Sequence, residues 1–129
     1  MPPSPDAPRV QIFGLENDQA TRAAIRFFKE RRFEIHLVDL RRKPIAAGEL
    51  RRFVQRLGAG SLLDTDSRPY RHGGLGYLSM DEQGIVDRLL ADHRLIRLPL
   101  VRYGEVVSAG RAEATWKGWL TPARAGRTK

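Results

Sequence analysis

Cysteine is absent from all 129 residues. That one absence removes disulfide cross-links, thiol catalysis and every cysteine-based metal motif. Histidine is scarce, and His36, His72 and His93 stand at scattered spacing that gives no zinc-ligand pattern; they read as ordinary strand, loop and helix-end residues, and no metal is expected. No apolar run approaches the roughly 20 residues of a membrane span. The first eight residues have neither a basic start nor an apolar centre, so they do not form a signal peptide, and a cytoplasmic location without membrane contact is expected. Acidic residues are also short, 15 against 23 Lys and Arg, for a formal charge of +8. A surplus of that kind suits an anion or a nucleic acid. Here the arginines run along the whole chain and are not interleaved with aromatics, so nucleic acid is not the expected partner.

What is present is enough for one domain with a real core. Four prolines in residues 1–8 forbid a helix and mark an extended, disordered leader. Residues 122–129 form a basic tail, and the body between them, 9–121, reads as a single domain. Arg9 to Phe13 alternates around Val10 and Ile12 as a first strand ended by Gly14. Ala20, Ala24, Phe27 and Phe28 then recur at helical spacing, with Asn17 or Asp18 as cap. A second strand runs from Phe33 to Leu40, and a strand, helix, strand order with short links implies a right-handed parallel crossover. After Pro44, the residues Leu50, Phe53, Val54 and Leu57 mark a second helix closed by Gly58, with Arg51, Arg52, Gln55 and Arg56 on its outer face.

The stretch 60–77 is long for a compact domain, a length usually kept for function or for inserted small elements. Ser79 to Glu82 spells a capping box for a third helix. Ile96–Val101 and Glu105–Ser108 read as two antiparallel strands joined at Tyr103-Gly104, and a last helix carries Trp116, Trp119 and Leu120. The order β-α-β-α-α-β-β-α is that of an α/β, thioredoxin-like fold: a mixed four-stranded sheet, made of a parallel pair and an antiparallel hairpin, with helices on both faces. Pro99 has two readings. It is either a cis proline facing the first helix's N-terminus or a trans proline on an edge strand.

Five stretches in order carry a resemblance. They are Gly14-Leu15-Glu16-Asn17 before the first helix; Val38-Asp39-Leu40-Arg41 followed by Pro44 and Gly48-Glu49-Leu50; Ser61 to Thr65 leading to Pro69-Tyr70-Arg71 and Gly74-Leu75; Leu95 to Val101; and Gly110-Arg111 opening the last helix. Together they resemble the arsenate reductase and Spx family of thioredoxin-fold proteins over nearly the whole body. The resemblance puts the family's nucleophilic cysteine at Asp18. It puts one oxyanion-binding arginine at Asp64 and another at Leu98, with Arg97 displaced by one position, and leaves Arg111 where expected. Thr21 and Arg22 keep the hydroxyl and the cation that follow the cysteine loop.

A carboxylate cannot run a thiol-disulfide cycle, so no catalytic residue is assigned. At a helix N-terminus Asp18 caps the helix and repels an incoming anion, with Arg22 one turn on placed to steady it. The expected function is that of a redox-inactive family member without a cofactor. It would bind a protein, RNA polymerase as in Spx or another, or a small anion through Asn17, Asp18, Thr21, Arg22, Arg97, Pro99 and Arg111. The alternative implied by the resemblance is an arsenate reductase-type, glutathione-dependent oxidoreductase.

Overall fold

The computed structural model describes residues 8–73 and 81–120. Expectations placed on residues 1–7, 74–80 and 121–129, including the Ser79 cap and the basic tail, lie outside the described residues.

Strand β1, Arg9–Gly14, leads to helix α1, Gln19–Glu30, and then to β2, Glu34–Asp39. Asp18 is the cap, its carboxylate accepting the Thr21 amide. At its other end α1 closes in a Schellman turn. The Arg32 amide donates to the Lys29 carbonyl and the Phe33 amide to the Phe28 carbonyl, with Arg32 at φ 64° where glycine usually stands. Phe33 then packs edge-on against Phe28, ring centroids 5.1 Å apart, so the apolar contact that accompanies this motif fixes the return into β2.

Helix α2, Ala47–Leu57, is ended by Gly58 at φ 83°. Within its described residues, the long excursion contains a 3₁₀ turn at Gly60–Leu62 and a short helix α3, Arg68–Gly73. Helix α4, Glu82–Ala91, has Asp81 as its N-cap, the carboxylate accepting the Gly84 amide. The third strand is also shorter than its apolar run. β3 is Leu100–Tyr103, while Ile96 makes an isolated bridge to Leu63 and the Arg97 amide donates to the Leu62 carbonyl. The chain reaches the sheet only after the Leu98–Pro99 bond, which is cis. β4, Val106–Ala109, and α5, Glu113–Leu120, complete the domain.

The sheet order is β2-β1-β3-β4, parallel between β1 and β2 and antiparallel elsewhere. Strand alternation sends Val10, Ile12 and Val101 to one face, where α1 and α5 bring Ala24, Phe27, Phe28 and the fully buried Trp116. Phe13 and Leu100 point to the other face, covered by Leu50, Phe53, Val54 and Leu89 from α2 and α4. The Trp116 indole N–H donates 2.9 Å to the Ser108 hydroxyl, so these two buried polar groups satisfy each other.

Register decides what meets at one end of this sheet. Gly14 pairs with Asp39, and one step beyond the Phe13–Leu100 pair lie Gly14 and Pro99. The Gly110 amide donates 3.0 Å to the Pro99 carbonyl. Asp39, Gly14, Pro99 and Gly110 therefore stand side by side across all four strands.

Candidate functional site

The edge is built outward from Gly14. A side-chain carbon there would lie 2.3 Å from Thr21 Oγ1 and 2.7 Å from Thr21 Cγ2, so only glycine lets α1 sit this close to β1. Thr21 is fully buried against it. Its hydroxyl accepts the Leu15 amide at 3.3 Å and donates 2.8 Å to Asp18 Oδ2, which also accepts the Thr21 amide at 2.8 Å. One carboxylate oxygen thus takes both donors of Thr21, at the position where the positive end of the helix dipole would otherwise face a ligand.

Arg22 does not meet that carboxylate. Its Nε donates 2.9 Å to the Glu16 carbonyl, and the expected pairing with Asp18 one turn away is replaced by the Thr21 hydroxyl. The reason is geometric: Arg22 lies on the solvent side of α1, while Asp18 turns inward to cap it. Asn17 is exposed at the tip of the loop.

The remaining cations are occupied as well. Arg97 runs its side-chain carbons past Gly110 and bonds back to the backbone, its Nε donating to the Ser61 carbonyl at 3.3 Å and a terminal nitrogen to the Leu63 carbonyl at 3.1 Å. There it ties the 3₁₀ turn to the approach of β3. Arg111 forms a two-bond fork with Glu113, 3.0 Å at each oxygen. The Arg111 guanidinium holds the Glu113 carboxyl below its ordinary range, and Glu113 in turn raises Arg111. Asp64 accepts the Asp66 amide at 3.0 Å in a local turn, while its own amide donates to the Leu95 carbonyl. Register brings Asp18, Thr21, Arg22, Pro99 and Arg111 to one end of the sheet. Arg97 is placed beside them in sequence, but its guanidinium serves the 3₁₀ turn.

Two residues at the edge carry roles that the sequence pattern did not assign. Asp39, its side chain 6% exposed, accepts the Arg41 amide at 2.9 Å and the Glu16 amide at 3.4 Å, and so joins the end of β2 to the loop before α1. The Arg41 amide is the main cause that holds its carboxyl below the ordinary value, with the Glu16 amide and the Arg41 guanidinium adding to it against the opposing effect of burial. Glu113 is the other. Its signal was legible as Arg111-x-Glu113, a spacing that lets the two side chains fork at a helix start.

A cavity of about 380 Å³ lies at the opposite end of the sheet, lined in part by Arg9, Gln11, His36 and Arg102, and touches none of the residues above. Among the described residues there is no His, Cys, Asp and Glu cluster able to hold a metal, and no helix is long and apolar enough to cross a membrane.

The ArsC family model matches residues 13–119. Among solved structures the chain is similar to the arsenate reductase from Vibrio cholerae, with a TM-score of 0.75 and 17% identity over 85% of this chain and 96% of that one. It is also similar to an arsenate reductase (ArsC) related protein from Brucella melitensis, TM-score 0.69 and 17% identity over 92% and 100%. SACOL0876 from Staphylococcus aureus gives a TM-score of 0.74 and 20% identity over 87% and 99%. At such identities the likeness speaks for the fold, which is thioredoxin-like. None of the curated protein sequences matches this one.

Proposed function

The chain belongs to the ArsC family, and from that premise we propose that it acts by binding a protein partner, without redox chemistry, at the sheet edge formed by Asn17, Asp18, Thr21, Arg22, Pro99 and Arg111. The observation that carries this reading is the Asp18 carboxylate on the N-terminus of α1, bonded at 2.8 Å to both donors of Thr21. A thiolate mechanism needs a nucleophile there that can form and release a disulfide, and a carboxylate cannot. A small oxyanion needs free donors there, and it would meet a negative charge already seated on them. Glu113 on Arg111 and the backbone carbonyls on Arg97 leave the edge similarly engaged from within. An edge of this kind still offers an exposed loop and a rigid frame, which is what a protein surface needs.

Affinity capture from the native source and a turnover assay test the reading together. Parent protein is expected to retain a partner that Asn17→Arg loses, and to reduce no arsenate in the presence of glutathione and glutaredoxin. Turnover that disappears in Asp18→Ala would instead return the chain to the glutathione-dependent enzymatic reading.

A further inference from the structure

We infer that the outer face of α1 is a docking ridge for an acidic protein segment. The inference rests on the reading that this chain works by binding a protein, and it names a second surface and the chemistry of what meets it. Arg22, Arg26 and Lys29 lie within about 60° of one another around the helix, a single stripe two turns long. All three are exposed. Arg22 is held by the Glu16 carbonyl, and among the described residues Arg26 and Lys29 have no carboxylate at ion-pair distance; Glu30, one turn from Arg26, lies 3.9 Å from Arg31 instead.

Two comparisons separate this stripe from a general excess of arginine. On α2, Arg52 stands 3.9 Å from Glu49 and Arg56 reaches Glu105 at 3.2 Å, so that row is partly neutralised by the fold. On α1 the spacing puts like charges four and three residues apart, which weakens a helix, and it puts Arg22 in the positive half of the dipole with no acidic residue in the first turn. Lys29, in the last turn, suits the negative end of the dipole, while the repulsions of Arg26 with Arg22 and with Lys29 are offset by no ion pair to Arg26 or Lys29 among the described residues. Local costs of that kind are expected where a surface has another use.

Beside the stripe, a groove of about 270 Å³ opens between α1 and α5, with Ala23 and Phe27 at its floor and Arg26, Glu30, Glu113 and Lys117 at its rim. The carboxylates of the partner meet the stripe. Phe27, the aromatic at the floor, is 6% exposed and stacks with Arg31, so it offers no platform for a base. These features favour an acidic peptide over a nucleic acid.

The test is fluorescence anisotropy of the full chain with a labelled helical peptide carrying Glu at i, i+4 and i+7 and one Leu between them. Its comparators are a Lys-substituted peptide and a DNA oligonucleotide of equal charge. The acidic peptide is expected to bind alone among the three, to weaken at least tenfold between low and physiological salt, and to lose at least tenfold with Arg26→Glu/Lys29→Glu. The same double change on the α2 row, Arg52→Glu/Arg56→Glu, is expected to leave binding within twofold. Circular dichroism confirms that each variant is folded. Equal binding by parent and the α1 variant, or preference for the oligonucleotide, overturns the proposal. The two surfaces fail separately: a native partner lost by Asn17→Arg but kept by the α1 variant leaves the edge as the docking site and removes the ridge.

Discussion

Asp18 is the residue on which the molecule turns, because its carboxylate does two things that a thiol in the same place would not. It caps α1, and it neutralises the site that an anion would use. Asp18→Ala is expected to cost about 1 kcal/mol of stability, and Asp18→Asn only a small part of that, read from urea unfolding of the two variants. Gly14 is the second test at this scale. A methyl group there meets Thr21 within 2.7 Å, so Gly14→Ala should destabilise by about 1–3 kcal/mol, and Gly14→Ala/Thr21→Ala should cost less than the sum of the two single changes. Asp39 sets an acid limit. Its carboxyl titrates below the unfolded value, so its contribution is present above about pH 4, and it is lost as the pH falls through the lower folded value. Asp39→Asn should flatten the decline of stability on acidification below about pH 4 while changing its slope near neutrality very little.

Among the elements, α1 and its C-terminal turn show how sequence becomes position. The helix ends because Arg32 adopts a left-handed conformation and Phe33 folds back on Phe28. An arginine at φ 64° carries a steric strain that glycine avoids, so Arg32→Gly should raise stability by about 0.5–1 kcal/mol, measured as a shift of the unfolding midpoint. Periodicity made α1, α2 and both hairpin strands legible, since each has one apolar face to bury. The start of α4 was not legible, because Ser79 and Asp81 are both good caps in the same stretch and only the hydrogen bond from Gly84 distinguishes the one used. The span of β3 was overread for a similar reason. Ile96 and Leu98 are apolar like the strand that follows, yet backbone bonds from Arg97 to Leu62 and from Asp64 to Leu95 draw that segment to the 3₁₀ turn instead.

For the whole molecule, sequence order alone carried the fold: one parallel crossover and one hairpin leave little choice about how four strands share a sheet. The site was legible only in part. Residues named at the edge do gather at one end of the sheet through strand register, but which partner each charge takes depends on side-chain direction. Arg97 looked like an anion ligand from its place before Pro99, and it is engaged by the carbonyls of Ser61 and Leu63. Asp39 was invisible as a participant because nothing in its neighbourhood distinguishes a buried carboxylate from a solvated one, whereas Glu113 was marked by its spacing from Arg111. The central claim is that this edge is already filled by the chain's own Asp18. Calorimetric titration of arsenate and of sulfate into parent and Asp18→Ala tests it most directly. The account predicts no saturable heat from parent at millimolar anion and weak binding gained by Asp18→Ala; binding by parent as tight as by Asp18→Ala, or tighter, would contradict it.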